Sequence, residues 1–194
     1  MKRIFGYTLY IFLAVISLNS AGQSYTLTGT NNKAVISGTS SLHEWDENLL
    51  HFNSGFVIAK EGAAVRSIDN IIFTCNTRDI KSESSLMDKK TYDALKADEF
   101  PQIKFQGTGI TGLKSEGAKF SGNLKGKLTL AGQTRDITVP FTGTLIDNNN
   151  LDITANAEMS FSDFGMKPPT AMMGALKTGD KVKVSFNLHF SEKR

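Results

Sequence analysis

Two residues stand out for their chemistry. His43 and Trp45 lie in the polar stretch Ser40-Ser41-Leu42-His43-Glu44-Trp45-Asp46. A separation of two puts both on one face of a strand. An imidazole beside an indole can hydrogen-bond the polar head of an apolar ligand at a cavity mouth, and it can equally be a hydrogen-bonded pair in a wall; the spacing leaves both readings open. Arg78-Asp79 follows an apolar run and reads as a loop ion pair or as a binder of a charged head. His51 and His189 share no ligand spacing with each other or with Cys75, so no metal centre is expected. Cys75, between Thr74 and Asn76, reads as a small wall residue rather than a reactive thiol. No Gly-x-Ser-x-Gly motif is present, and an enzyme would have to draw its acid and base from His43 with Asp163 or Arg78. No cofactor is expected.

The elements that must position these residues are strands. From Phe120 through Gly122, Leu124, Gly126 and Leu128 to Leu130, every second residue is apolar or glycine, and lysine, serine, asparagine and threonine fill the gaps. After the turn Ala131-Gly132-Gln133-Thr134 the alternation resumes at Ile137, Val139, Phe141, Gly143 and Leu145. This predicts an antiparallel hairpin, apolar on one face and polar on the other. Further strands are predicted at Tyr25 to Thr30, Ala34 to Thr39, His43 to Trp45, Leu49 to Ala59, Ala64 to Cys75, Gln102 to Ile110, Leu151 to Phe161 and Lys181 to Phe190. Pro140, which donates no ladder bond, predicts a bulge or an edge. One helix is predicted from Ser85 to Lys96, opened by a capping box of Ser85 and Asp88. A shorter helical turn is predicted between Thr170 and Leu176. The fold class that follows is all-β: an extended antiparallel barrel of about eight strands with one inserted helix.

The chain opens with Met1-Lys2-Arg3, an apolar run from Ile4 to Leu18, and the small residues Asn19-Ser20-Ala21-Gly22. That pattern predicts a secretory signal peptide over 1–22, followed by one domain over 23–194, periplasmic or secreted and without a membrane span once processed. The sequence holds 22 Lys and Arg against 19 Asp and Glu; without Lys2 and Arg3 the balance is 20 against 19. No basic cluster dominates, which argues against nucleic acid. Cys75 is the single cysteine, so burial rather than an internal disulfide must hold the fold together.

If the alternating face points inward, it lines the barrel with Phe120, Leu124, Leu128, Ile137, Val139, Phe141, Ile153, Met159, Phe161, Val182, Val184, Phe186 and Leu188. Gly122, Gly126, Gly143, Ala155 and Ala157 fall on the same face, and small residues among large ones are expected to leave volume unfilled. A barrel of this size either packs solid or holds one ligand. Periodicity alone leaves both open. Phe164, Met166, Met172 and Met173 are candidates for an adaptable lid.

Three stretches resemble one family. Gly126-Lys127-Leu128-Thr129-Leu130-Ala131-Gly132-Gln133-Thr134-Arg135-Asp136-Ile137-Thr138-Val139-Pro140 is similar to the central signature of the YceI-like family. The run from Tyr92 to Phe105, with Phe100-Pro101-Gln102-Ile103-Lys104-Phe105 at its end, resembles the family's helix-to-strand segment, and Ser162-Asp163-Phe164-Gly165 its late Ser-Asp-Phe-Gly element. The resemblance implies a lipocalin-like barrel in an exported bacterial protein that binds a polyisoprenoid, an isoprenoid quinone or another long-chain lipid. The residues expected to touch such a ligand are His43, Trp45, Phe105, Phe120, Leu124, Leu128, Phe141, Met159, Phe161, Phe164, Met172, Val184 and Phe186. The alternatives are an enzyme using the barrel as a reaction chamber, and an interaction protein with a filled barrel that binds through loops such as Ser82 to Ser85. An exposed strand edge could also pair two copies into a homodimer.

Overall fold

A computed structural model describes residues 22–171 and 174–193. Its strands follow the alternation of apolar and polar residues, and several pairs of them join end to end into the staves of a barrel. β1 (Gln23–Leu27) and β2 (Lys33–Ser40) run in succession along one edge of β12 (Leu176–Glu192), β1 opposite Phe190 to Glu192 and β2 opposite Thr178 to Asn187. Between them, the Asn32 side chain donates to the Thr28 carbonyl (2.9 Å) and accepts from the His189 N–H (2.7 Å), which keeps the interrupted stave in line. β3 (Glu44–Leu49) and β4 (Phe52–Glu61) form the next stave, β3 beside β2 and β4 beside β1. β5 (Ala64–Asn76) and the short β6 (Ile80–Lys81) flank a 3₁₀ turn at Thr77–Asp79 and form the third.

The remaining staves are single long strands. β7 (Gln102–Glu116) pairs with β5, β8 (Lys119–Leu130) with β7, β9 (Gln133–Leu145) with β8 and β10 (Asn150–Ser160) with β9. β12 then returns beside β10, and its pairing with β1 closes the ring. The all-β, closed antiparallel class expected from sequence is the observed one.

Two local expectations are met and one is corrected. The β8–β9 ladder runs through Pro140, opposite Asn123, without a register shift, so there is no bulge. Pro140 is an edge, the other expected outcome: the β9–β10 ladder stops at Phe141–Ala155, one residue short of it, so the missing N–H costs no bond on that side. The short helical turn expected between Thr170 and Leu176 is seen at Gly174, which lies in a 3₁₀ turn, and β11 (Thr170–Ala171) lies opposite Lys177 and Leu176 on either side of it.

The correction is at the helix. α1 spans Ser85–Ala94, but its N-cap is Ser84, whose hydroxyl accepts from the Met87 N–H. Asp88 does not close a capping box; it reaches back to the Ser82 N–H (2.7 Å), the Ser82 hydroxyl (2.9 Å) and the Lys81 ammonium (3.1 Å). That arrangement ties the start of α1 to the end of β6. Ser84→Ala is expected to lower stability by about 1 kcal/mol in urea unfolding, as loss of a serine cap usually does; an unchanged midpoint would mean that Asp88 alone holds the helix start.

One part of the core packs the end of the barrel farther from α1, while Leu130, Ala131 and Phe164, and a second cluster of Ala34, Leu49, Cys75 and Ile80, are buried nearer the other end. At the far end Tyr25, Ile58, Phe120 and Leu151 are buried, and Phe56 stacks on Tyr25 at 5.9 Å and lies tilted against Phe190 at 4.6 Å, centroid to centroid. The Lys60 ammonium closes this floor from outside, donating to the Tyr25 hydroxyl (2.7 Å) and the Asn148 carbonyl (2.9 Å).

Candidate functional site

Above the aromatic floor the barrel is hollow. The cavity has a volume of about 600 Å³, well within the range of small-molecule sites. Its wall is almost wholly apolar. Leu124 and Leu128 come from β8, Ile137, Val139 and Phe141 from β9, Ile153, Ala155, Ala157 and Met159 from β10, and Val182, Val184, Phe186 and Leu188 from β12. The inward face predicted for these four strands is therefore the face that borders the cavity, with Phe120 the exception among its large residues. Phe105, Ile103, Phe73 and Phe56 complete the wall on the β4–β7 side.

The glycines on this face do a different job from the one expected. At Gly126 an added Cβ would overlap the Phe105 ring, and at Gly143 it would overlap the Phe120 ring. Trp45 covers Gly38 in the same way, directly across the β2–β3 ladder. The glycines make room for neighbouring rings laid flat on the sheet rather than leaving empty volume. Rings do meet across part of the lumen, Phe73 of β5 lying edge-on to Phe186 of β12 with centroids 5.6 Å apart, and the hollow is the volume left around that contact.

α1, the turn at Ser40 to His43 and the hairpin carrying Pro169, Thr170, Leu176 and Lys177 border the mouth. Leu42 and Leu86 lie there 68% and 61% exposed, so the entrance is apolar at its lip as well as inside. His43 and Trp45 both border the cavity. The Trp45 indole donates to the Thr39 carbonyl (3.0 Å), and His43 Nδ1 lies 2.6 Å from the Glu44 carbonyl oxygen.

Of the residues expected to meet a ligand, His43, Trp45, Phe105, Leu124, Leu128, Phe141, Met159, Phe161, Val184 and Phe186 border the cavity. Phe120 does not: it is 3% exposed and packs edge-on against Phe141 in the floor, over Gly143. Phe164 is also buried in the core, held by the 3₁₀ turn Ser162–Phe164 and by Gly165 in the left-handed conformation that ends it. Met166 reaches the cavity, whereas Met172 and Met173 lie outside the described residues.

The other chemistry-bearing residues disperse. Arg78 and Asp79 do not pair with each other: Arg78 bonds Asp98 and lies over the Tyr92 ring, while Asp79 accepts from His51 (3.2 Å). Neither Arg78 nor Asp163 borders the cavity beside His43. Asp163 is engaged locally, accepting from the Ser160 N–H (3.0 Å). His189 points outward to Asp152 (2.6 Å). Cys75 borders the lumen, and burial, with Asp79 nearby, pushes its thiol up to about 12, far from thiolate chemistry. Among the described residues no group of three His, Cys, Asp or Glu could hold a metal.

Besides the wall residues Phe56, Phe73 and Ile103, one buried ionisable residue was missed. Glu47 is 2% exposed and borders the cavity. The Thr91 hydroxyl of α1 donates to it (2.6 Å). Burial raises its carboxyl to about 7, against the lowering effect of the Thr91 bond and with a further push from Asp88. The signal was present: Trp45, Glu47 and Leu49 share one face at a period of two.

Family membership is settled by sequence: the YceI-like domain profile matches residues 15–190. The chain belongs to the YceI-like family. No functionally curated protein matches it. Solved structures similar to this YceI-like chain include Burkholderia cenocepacia BcnA, at 17% identity and a TM-score of 0.67 over 84% of this chain and 98% of that one. A polyisoprenoid binding domain from Saccharophagus degradans, implicated in plant cell wall breakdown, is similar at 11% identity and a TM-score of 0.68, covering 88% and 99%. The Campylobacter jejuni YCEI protein is similar at 17% identity and a TM-score of 0.56, covering 76% and 84%. At such identities the likeness establishes a shared barrel.

Proposed function

We propose that this protein is an exported carrier or store for one long-chain isoprenoid or fatty amphiphile, held in the barrel lumen. The observation that carries the reading is the apolar cavity of about 600 Å³ above a packed aromatic floor, open at a lip that bears Leu42 and Leu86. Each methylene moved from water into such a lumen contributes about 0.8 kcal/mol. Micromolar affinity needs only about 8 kcal/mol, so a chain of a few isoprene units suffices even after the costs of association and ordering. The similarity to the Saccharophagus polyisoprenoid binding domain supports an isoprenoid chain. Export rests on the basic start and apolar run of residues 1–22, and predicts a periplasmic or secreted location. The role is binding rather than catalysis, in keeping with the scattered positions of His43, Arg78 and Asp163.

Organic extraction of the purified protein followed by mass spectrometry tests this reading. A stoichiometric hydrophobic molecule is expected. Recovery of none, together with no uptake of a fluorescent fatty acid, would overturn it. Blocking the lumen gives a second check. Ala155 borders the cavity between Phe141 and Phe186 of the flanking strands, so Ala155→Trp places an indole in the hollow. Uptake of the fluorescent probe is expected to weaken by about tenfold or more, with the barrel still folded because the added volume enters space that is already empty.

A further inference from the structure

Glu47 is the strangest residue in the lumen. A carboxyl group in an apolar wall is costly unless something bonds it, and only one of its oxygens has a recorded partner, the Thr91 hydroxyl at 2.6 Å. Among the described residues no side-chain oxygen or nitrogen fully shut off from solvent and cavity lacks a hydrogen bond. The second carboxyl oxygen therefore keeps some open surface, and for a residue 2% exposed that borders the cavity, the surface it keeps is the cavity's. Its neighbours on the same strand face are Trp45 and Leu49, and across the ladder it meets Ile36. With Thr91 it thus makes a buried polar point in a largely apolar wall, beneath α1 and below a lip that carries His43, Lys90 and Lys177.

We propose that Glu47 and Thr91 form the head-group position of the lumen and take the hydroxyl of an uncharged, long-chain alcohol. This rests on the lumen holding a chain at all, as proposed above. A hydroxyl can donate to the free oxygen of Glu47 whether that group is ionised or protonated, and can accept from it when protonated. A phosphate fits badly there: it would set negative charge against Glu47, with Asp88 close behind, in a wall with little water. The cationic side chains that border the cavity, Lys90 and Lys177, belong to α1 and to the hairpin at the mouth. A phosphate-headed chain would be drawn to that rim, with its head outside the Glu47 position.

The test uses three molecules with one skeleton: phytol, phytyl phosphate and phytane, delivered from cyclodextrin to the full chain. Trp45, the only tryptophan and a neighbour of Glu47 on the lumen face, reports binding by its fluorescence. The wild type is expected to bind phytol about tenfold more tightly than either phytane or phytyl phosphate, the size of effect one hydrogen bond to a carboxyl group supplies. Glu47→Leu is expected to bring phytol down to the level of phytane and to leave phytane within about twofold. Thr91→Val, which leaves Glu47 in place but unpositioned, is expected to fall between.

Equal binding of phytol and phytane by the wild type overturns the head-group position while leaving the carrier reading intact. So does phytyl phosphate binding best and losing that advantage in Lys90→Ala or Lys177→Ala, which would put the head at the rim. Because the wild-type order alone decides between these outcomes, the test survives a variant that does not fold. Binding of none of the three molecules removes the carrier reading itself and the head-group position with it.

Discussion

Phe120→Ala is expected to lower stability by about 3–5 kcal/mol while leaving uptake of a fatty probe nearly unchanged. Phe120 is buried in the floor, not in the cavity wall, and its ring covers Gly143 and meets Phe141 edge-on with centroids 6.2 Å apart. Removing it leaves a void that its neighbours, held in register by the β8–β9 ladder, cannot close. The partner substitution sharpens the test. Gly143→Ala in the wild type drives a methyl group into the Phe120 ring and should destabilise. In the Phe120→Ala background the same methyl enters vacant space and removes a flexible glycine from a strand, so it should stabilise by roughly 0.5–1 kcal/mol. A change of sign between the two backgrounds in urea unfolding is the expected result. Additive effects, or loss of probe uptake in folded Phe120→Ala, would show that floor and lumen are not separate layers.

That separation explains how much of the protein could be read from its sequence. The strands were legible because inward and outward residues alternate without interruption from Phe120 to Leu130 and from Ile137 to Leu145. The closed barrel followed from the number of such runs. What alternation cannot supply is depth. Phe120 and Leu128 lie on the same face of β8, yet one is floor and the other cavity wall. The difference depends on how many rings converge at each level, and Tyr25, Phe56, Phe120 and Phe190 come from strands far apart in the chain. The two readings that the sequence left open, a packed barrel and a hollow one, each hold in part: rings pack the floor at Tyr25, Phe56 and Phe190, and a cavity stands against that floor.

The glycines were misread for a related reason. A glycine opposite or diagonal to an aromatic residue in an antiparallel pair lets the ring lie flat over its Cα, which is a cross-strand relation and invisible along one strand. The helix start slipped by one residue because Ser82, Ser84 and Ser85 are all competent caps, and the choice between them depends on Asp88 turning back to Ser82. Glu47 was passed over because it sits among Asp46 and Asn48, where a charged side chain usually faces water. Its place between Trp45 and Leu49 at a period of two carried the opposite message.

Glu47→Gln is expected to make the protein less sensitive to alkaline conditions. Folding raises the Glu47 carboxyl from the ordinary 4.5 to about 7, chiefly through burial. A carboxyl group raised on folding favours the folded state while it is protonated in both states. That contribution is lost as pH climbs from the unfolded value through the folded one, because the unfolded chain gives up its proton first. The loss is complete somewhat above pH 7, and a shift of this size corresponds to on the order of 3 kcal/mol. Glutamine keeps the shape and the bond to Thr91 without the charge. Near pH 4 the variant and the wild type should therefore unfold at similar denaturant concentrations, whereas near pH 8 the variant should be more stable by up to about that amount. The other titrating groups, including Asp88 with its Lys81 partner, are common to both proteins and drop out of the difference. A gap between the two unfolding curves that stays constant from acid to alkaline pH would mean that Glu47 ionises as freely as a surface carboxylate, and that water reaches it through the mouth.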